Sequence, residues 1–215
     1  MNVNQNIFKH EKEYTIGVEE EFMICDPVNG ELINKAKDIF NTADDTMLKR
    51  LSYELIYSEI ESNTKICDNT DEAIHEVGVL RNKLKLMGEQ LGYVLGLSGT
   101  HPTALPLKQK FVNTKGYNWV ADQLSYYAKR NITFALHVHI AVPNSDLSIS
   151  AVNALRRWIP PLLALSCNSP FFEGELTGMK SSRTFQFGTF PRTNIPETFK
   201  DYNHFLSIVD NFLET

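Results

Sequence analysis

Three consecutive glutamates interrupt an otherwise apolar, strand-like segment near the start of the chain, and they constrain the fold more than any other feature. Residues 14 to 25 read YTIGVEEEFMIC, and a turn sequence, DPVNG, follows. Because side chains alternate across a strand, Glu19 and Glu21 share one face, opposite the large apolar residues. Two carboxylates beside a core repel each other and lose hydration unless a positive group lies between them. The segment therefore predicts a cation site or, alternatively, an ordinary solvent-exposed acidic face.

A second acidic segment runs from Glu54 to Glu61, and residues 53 to 60 are predicted to form a strand. Glu59 and Glu61 share a face by the two-residue period, whereas Glu54 has the opposite parity. Glu54 and Glu61 can reach one site only if Glu54 precedes the regular strand or a bulge intervenes. Alone, the segment also fits a half-exposed strand, but a hard cation such as Mg²⁺ needs several converging oxygen ligands.

Two histidines, His137 and His139, lie in the most regular alternating segment, which predicts a strand over residues 133 to 142. Alternation places both imidazoles, with Ala135 and Ala141, opposite the large apolar side chains. Small neighbours leave room for a ligand or metal ion above the strand. An HxH pair is a common metal motif, and two surface or hydrogen-bonded histidines remain an equal alternative.

Helices are predicted between and after these strands. Asn69 is a typical N-cap with Glu72 three residues later, and an apolar face continues from there to Gly92. Other predicted helices cover residues 36–51, 117–129, 146–165 (kinked by two prolines) and the end of the chain from 201, and a short strand covers 93–98. With no internal repeat or linker, residues 14–215 are predicted to form one α+β domain after a flexible leader of residues 1–13.

Composition excludes several classes of function. A net charge of −5 and a pI near 5.7, without a basic stripe, argue against nucleic acid as a partner. The cysteines, Cys25, Cys67 and Cys167, form no CxxC pair, so they indicate neither a zinc ribbon nor a disulfide framework and fit a reducing compartment. No signal peptide or membrane-spanning segment is apparent. We therefore expect a cytoplasmic protein that does not bind membranes.

Common nucleotide and hydrolase motifs are absent from the sequence. It contains no GxxxxGK[ST] loop, no GxGxxG, no GxSxG and no HExxH. If ATP binds to this chain, its phosphates must be held mainly by metal ions and arginines.

An ordered set of motifs resembles one family. In chain order the motifs are GVEEEF (17–22), E-x6-E followed by SNT (54–64), GTHP (99–102), LHVHIAVP (136–143), PPLLALSCNSPFFEG (160–174), TG (177–178), SSR (181–183) and FPR (190–192). Each motif alone is weak, but their order is specific. The set is similar to the type-2 glutamate–cysteine ligase family, also called carboxylate–amine ligases, and covers nearly the whole chain from about residue 14.

The resemblance implies a fold and an activity. The fold is α+β, with a curved antiparallel sheet of the glutamine-synthetase type flanked by helices. Family members use ATP and Mg²⁺ or Mn²⁺ to phosphorylate a carboxylate, typically that of glutamate, and an amine such as cysteine then attacks the acyl phosphate. The family is longer than this chain, so the resemblance implies an N-terminal part, a sheet incomplete at its C-terminal end and a missing C-terminal half.

The resemblance also implies site residues. The implied metal ligands are Glu19, Glu21, Glu54, Glu61 and His137. Arg183 is the implied catalytic residue, in contact with the transferring phosphate or the substrate carboxylate, and Ser181 of the same motif is assigned to cofactor binding with it.

Several neighbouring residues receive lesser roles. His139 is expected behind the metal ligands, and His101 is expected to shape its loop or the substrate pocket. Glu20 and Glu59 are taken as structural or solvated. Asn194 stands where the family usually has a glycine.

Two alternative functions remain open at this point. The chain could be a non-catalytic homologue that binds metal, nucleotide or a partner chain, or a metal-dependent hydrolase that uses the same carboxylates. Self-association through an uncovered sheet edge and the apolar last helix is a further expectation.

Overall fold

The computed structural model describes residue 8, residues 12–191 and residues 193–214. Most of the predicted leader, residues 1–13, lies outside the described residues, as does Arg192 of the FPR motif. Among the described residues, five strands form one antiparallel sheet, two short strands form a hairpin, and helices flank them. The predicted α+β class is confirmed.

The elements follow the chain in this order. The strands are β1 (Ile16–Cys25), β2 (Leu51–Ser52), β3 (Glu59–Asn63), β4 (Val94–Gly96), β5 (Leu136–Ile140), β6 (Phe171–Phe172) and β7 (Glu175–Leu176). The α-helices are α1 (Ala36–Thr42), α2 (Asp45–Leu48), α3 (Thr70–Leu91), α4 (Lys115–Leu124), α5 (Tyr126–Arg130), α6 (Ser145–Leu155), α7 (Ile159–Ser166), α8 (Ser182–Phe187) and α9 (Tyr202–Glu214).

Strand β1 is the centre of the sheet. The strand order is β2-β3-β1-β4, and β5 also pairs with β1. Strand β3 runs along one edge of β1, while β5 and β4 share the other edge, β5 beside its first half and β4 beside its last three residues. Side chains of β1 therefore have neighbours from three other strands.

One face of β1 carries the main core. Phe22 and Ile24 are fully buried there and belong to one apolar cluster with Ile60 of β3 and Leu84 of α3. Helix α3 begins as predicted, because the Asn69 side chain accepts a hydrogen bond from the Glu72 N–H at 2.9 Å. This helix covers the apolar face of the sheet and leaves the other face for the acidic residues.

Glu20 lies on the core face, and its charge is compensated by helix α3. Its carboxylate is only 3% exposed and accepts hydrogen bonds from Arg81, from Nε at 2.8 Å and from a terminal nitrogen. A buried carboxylate with a bidentate arginine partner is a structural feature. Glu20 is therefore structural, one of the two roles expected for it.

The opposite face of β1 changes from acidic to apolar along the strand. Glu19 and Glu21 come first, and then Met23 and Cys25 enter a second apolar cluster. The other buried members of this second cluster are Ile56, Ala104, Ile132 and Phe134. The two glutamates consequently lie directly beside a core, the situation in which unpaired carboxylates are most costly.

The second predicted strand is displaced along the chain. Residues 53–60 do not form one strand; instead β2 ends at Ser52 and β3 begins at Glu59. The intervening backbone pairs with a distant loop, because the Tyr57 N–H donates to Lys110 O at 2.9 Å and the Val112 N–H donates to Leu55 O at 3.0 Å. The prediction was wrong here because those partners lie far away in sequence.

Strand β5 is shorter than predicted and is open to solvent. Its apolar residues Leu136, Val138 and Ile140 are 54%, 57% and 50% exposed. Within the described part of the chain, β5 pairs with β1 alone, so its other edge lacks a strand partner there.

Three predicted helices are each divided. The helix predicted over residues 36–51 becomes α1 and α2, and its last predicted residue, Leu51, lies in β2. The helix predicted over residues 117–129 is interrupted at Ser125, whose φ of 47° is left-handed. The helix predicted over residues 146–165 becomes α6, a 3₁₀ turn at Arg156–Trp158, and α7, whose first turn carries the two prolines. In the described ranges, no helix combines the length and apolar character needed to cross a membrane.

Two leucines of α3 provide a matched test of this packing. Leu84 is fully buried, whereas Leu86 is 48% exposed. We expect Leu84→Ala to lower the free energy of unfolding by about 3 kcal/mol, because it leaves a cavity against β1. Leu86→Ala should change it by less than about 0.5 kcal/mol. Urea unfolding of both variants measures the difference, and equal losses would contradict the position of α3 over the sheet.

Candidate metal centre

Strand register brings the acidic residues and one histidine together. Across β1 and β3, Glu21 lies opposite Glu61, and across β1 and β5, Glu19 lies opposite His137. Directly opposed residues of antiparallel strands have Cβ atoms roughly 5 Å apart on the same face. The central position of β1 therefore gathers side chains from three strands above one face of the sheet.

The ligand atoms form two overlapping groups. One group contains Glu19, Glu61 and His137, and the other contains Glu21, Glu54 and Glu61. Within each group one ligand atom per residue lies within 4.8 Å of the others. All five residues singled out from the sequence as metal ligands thus meet, and Glu61 belongs to both groups.

Glu54 reaches the cluster from outside the regular strand. It lies in the connection between β2 and β3, before β3 begins. Glu54 thus precedes the regular strand, which was one of the two ways in which it could reach the same site as Glu61. The Tyr117 hydroxyl, which donates to Tyr53 O at 2.8 Å, is 3.5 Å from Glu54 Oε2. The tertiary fold, and not strand alternation, therefore positions Glu54.

The carboxylates disfavour one another's charge. Burial, followed by the charges of Glu21 and Glu61, raises the pKa of Glu54 from 4.5 to about 7. Burial likewise raises the pKa of Glu21, against the opposing influence of His137 and Arg183. A divalent cation would remove this repulsion, and a set of carboxylate oxygens with one imidazole fits Mg²⁺ or Mn²⁺.

Glu59, taken from the sequence as structural or solvated, is a buried member of the acidic face. It is 3% exposed, and its Oε1 has no hydrogen-bond partner among the described residues. Burial and the charges of Glu21, Glu54 and Glu61 raise its pKa well above the ordinary value. Its cross-strand partner is Met23, so Glu59 lies where the acidic face meets the second apolar cluster. In the sequence, the two-residue spacing between Glu59 and Glu61 was the signal that both side chains lie on one face of the strand.

Both histidines of β5 contact the same carboxylate. His137 Nδ1 is 3.4 Å from Glu19 Oε2, and His139 Nε2 is 3.1 Å from that oxygen. His139 belongs to neither ligand group, so its direct partner is Glu19. This agrees with its expected place behind the ligands.

Asn63 is a second residue that the sequence argument did not single out. Its side-chain amide donates to Glu61 Oε1 at 2.9 Å and to Ser52 Oγ at 3.1 Å. Glu61 is the carboxylate common to both ligand groups. Asn63 consequently fixes the orientation of that shared carboxylate.

Arg183 lies beside the acidic cluster. Its Nε donates to Phe134 O at 2.8 Å, and its guanidinium lies over the Phe187 ring, 4.9 Å from the centroid. Burial lowers its pKa, while the charges of Glu21 and Glu59 act in the opposite direction. The charges of Glu21 and Glu59 thus act on a partly buried guanidinium, and the role of Arg183 toward phosphate or substrate stays a prediction.

The hydrogen bonding of Ser181 is local. Its hydroxyl is hydrogen-bonded to Thr184 Oγ1 at 2.9 Å, immediately before α8. Among the residues that the structure describes, it makes no hydrogen bond to the acidic cluster. Its role in cofactor binding stays a prediction.

Two further sequence interpretations gain a structural explanation. The buried His101 is 2.8 Å from Gly30 O through Nε2, and its Nδ1 accepts from the Ala104 N–H at 3.0 Å. It therefore shapes its loop, and Nδ1 is not free to bind a metal. Asn194 has a φ of 84°, a left-handed conformation that glycine adopts most easily and asparagine tolerates.

Comparison with solved structures shows a related fold. The bifunctional glutathione synthetase from Pasteurella multocida superimposes with a TM-score of 0.67 at 12% sequence identity, over 94% of this chain and 30% of that chain. At this level of identity the likeness concerns the fold alone.

Sequence comparisons identify the family. Residues 15–215 match the model of glutamate–cysteine ligase family 2. "Putative glutamate--cysteine ligase 2-1" of Rubrobacter xylanophilus is 38% identical over 201 residues, 94% of this chain and 54% of that protein. "Putative glutamate--cysteine ligase 2" of Herpetosiphon aurantiacus is 34% identical over 202 residues, 94% of this chain and 52% of that protein. This chain thus spans about half the length of the curated relatives it matches. It belongs to glutamate–cysteine ligase family 2.

Proposed function

We propose that this chain carries the metal- and nucleotide-binding part of an ATP-dependent carboxylate–amine ligase. The observation that supports the proposal most strongly is the pair of three-residue ligand groups that share Glu61. Such a pair of sites suits two divalent cations close together on the phosphates of a nucleotide. Family membership favours the same chemistry.

In the proposed mechanism, the chain supplies ligands and positioning and no protein nucleophile. Mg²⁺ or Mn²⁺, when bound by Glu19, Glu21, Glu54, Glu61 and His137, would neutralise the negative charge of the ATP phosphates. Asn63 holds the shared carboxylate of Glu61 in place, and His139 does the same for Glu19. Fixed ligands reduce the reorganisation required when phosphoryl transfer begins.

Arg183 supplies a second kind of charge stabilisation. We assign its guanidinium to the transferring phosphate or to the carboxylate that receives it, because the charges of Glu21 and Glu59 act on this side chain. Planar guanidinium groups bind such oxyanions through parallel hydrogen bonds. Ser181, from the same SSR motif, is assigned to the nucleotide.

The proposed substrates are small molecules. The acid is glutamate or a similar carboxylate, and the amine is cysteine or another amine. Phosphorylation of the carboxylate gives an acyl phosphate; the amine then attacks its carbonyl carbon, and phosphate leaves as the amide forms. We expect this reaction in the cytoplasm.

Amine-dependent release of ADP tests the ligase assignment. The chain is incubated with ATP, Mg²⁺, glutamate and a panel of amines, and both ADP and amide are measured. We expect ADP and amide in equal amounts with at least one amine. Glu61→Gln should lower turnover by at least about 100-fold, because it removes a ligand from both groups.

The matched control is Glu89→Gln, which removes a carboxylate that is 61% exposed on α3. It should leave turnover unchanged. Product release without an amine would indicate a hydrolase instead. Calorimetric binding of Mg²⁺-ATP without turnover would favour the non-catalytic alternative, and no binding at all would contradict both nucleotide-dependent functions.

The stability of the metal-free chain should fall as the pH rises toward neutral. The pKa of Glu54 is raised from 4.5 to about 7 in the folded chain, so folding favours its protonated form. That contribution is complete below pH 4.5 and is lost as the pH rises through about 7. Glu21 and Glu59 act in the same direction. We expect the melting temperature without metal to be lower at pH 8 than at pH 5.

Added Mg²⁺ should reverse this trend, because a cation binds the deprotonated ligands. Its stabilising effect should therefore be larger at pH 8 than at pH 5, as measured by thermal unfolding at both pH values. Glu54→Gln removes the titrating group and should flatten the fall in the metal-free chain. Stabilisation by Mg²⁺ that is equal at both pH values would argue against binding at these carboxylates.

A further inference from the structure

We infer that Gly99 is a positioning residue that sets the place of the Arg183 side chain, an inference that rests on the function proposed for Arg183. A Cβ atom on Gly99 would lie 3.0 Å from Arg183 Cβ, 3.1 Å from Arg183 Cδ and 3.1 Å from Ser169 Oγ. The φ of Gly99 is not left-handed, so backbone conformation does not require glycine there. The space beside Arg183 is tight, and a Cβ atom there would fit only if its neighbours moved by a few tenths of an ångström.

The backbone of Gly99 is fixed on both sides. Its N–H donates to Asn168 Oδ1 at 2.9 Å, and its carbonyl accepts from the Phe134 N–H at 3.1 Å. The Ser98 hydroxyl adds a bond to Asn168 O at 2.7 Å. A new methyl group at Gly99 would therefore press on Arg183 at two points: Cβ, which moves only with the start of α8, and Cδ, which can move with the side chain.

Arg183 is attached to the same framework. Its N–H donates to Ser169 Oγ at 3.2 Å, and its Nε donates to Phe134 O at 2.8 Å. Phe134 thus bonds to Gly99 through its N–H and to Arg183 through its carbonyl. Because Nε already donates to Phe134 O, the two terminal nitrogens of Arg183 are the ones that can bind a ligand.

Displacement of Arg183 has an electrostatic consequence. The charges of Glu21 and Glu59 act on its guanidinium, and Glu21 belongs to one of the ligand groups. A bound oxyanion would have to satisfy the guanidinium and the cations together, which requires a fixed distance between them. A misplacement of about 1 Å can reduce the efficiency of such a site by on the order of 100-fold, so the smaller movement forced by a Cβ on Gly99 should have a smaller effect.

A double-mutant cycle tests the inference. Gly99→Ala, Arg183→Gln and the double variant are titrated calorimetrically with Mg²⁺ and a non-hydrolysable ATP analogue, and separately with glutamate. Gly99→Ala should weaken at least one ligand by on the order of tenfold. In the Arg183→Gln background the same change should alter affinity less than twofold, because Gly99 acts through Arg183. The ligand that weakens identifies the oxyanion as phosphate or carboxylate.

Gly116→Ala is the matched control, since a Cβ atom there meets nothing within 4 Å. It should bind both ligands like the unsubstituted chain. Unchanged affinity in Gly99→Ala, or equal losses in both Arg183 backgrounds, would overturn the inference while leaving the proposed function intact. If the unsubstituted chain binds neither ligand, the proposed function fails, and the functional part of the inference fails with it.

A ligand-free measurement tests the contact independently. Gly99→Ala, Arg183→Ala and the double variant are unfolded in urea beside the unsubstituted chain. Arg183→Ala removes the Cδ atom that a Cβ on Gly99 would meet at 3.1 Å, so the destabilisation by Gly99→Ala should be smaller in that background. Additive losses would overturn the contact. If Gly99→Ala does not fold, Asn168→Ala removes the acceptor of the Gly99 N–H without adding an atom. It should then weaken ligand binding in the Arg183 background only, and an equal effect in both backgrounds would overturn the inference.

Discussion

Repulsion among the carboxylates around Glu61 is the constraint on which the rest of this structure depends. Burial, and after it the charges of neighbouring carboxylates, raises the pKa of Glu21, Glu54 and Glu59 above a face of β1 that continues directly into an apolar cluster. Water cannot solvate these groups fully, and the opposing charges of His137 and Arg183 leave the pKa of Glu21 raised. Such an arrangement costs stability in the metal-free chain and favours binding of divalent cations. The same feature that destabilises the metal-free fold is the one on which the proposed phosphoryl transfer depends.

One face of β1 contributes to the stability of the fold, and the other carries the candidate metal ligands. On one face, Phe22 and Ile24 pack beneath α3, and the carboxylate of Glu20 is compensated by Arg81 of that helix. This packing fixes β1, so the register with β3 and β5 is determined, and with it the positions of Glu19 and Glu21. A one-residue slip would send those two carboxylates into the main core and Glu20 into the metal centre.

Alternation alone predicted the common face of Glu19 and Glu21 and that of the two histidines, because a strand's side chains obey a local period. The N-cap at Asn69 was likewise a local signal. Features that depend on partners distant in sequence could not be predicted in this way. Strand β3 begins at Glu59, for example, because the preceding backbone pairs with residues 110–112. The burial of Glu59 follows from its pairing with Met23, which no local pattern contains. The place of Arg183 against Phe134 and Gly99 depends on the fold in the same way.

The central claim is that two divalent cations bind on either side of Glu61. Crystals of the chain grown with Mn²⁺ and a non-hydrolysable ATP analogue test it directly, because anomalous scattering locates Mn²⁺ without reference to the protein model. The account predicts two peaks, one within reach of Glu19, Glu61 and His137 and one within reach of Glu21, Glu54 and Glu61. Crystals that bind the nucleotide but show no peak at these carboxylates would contradict it.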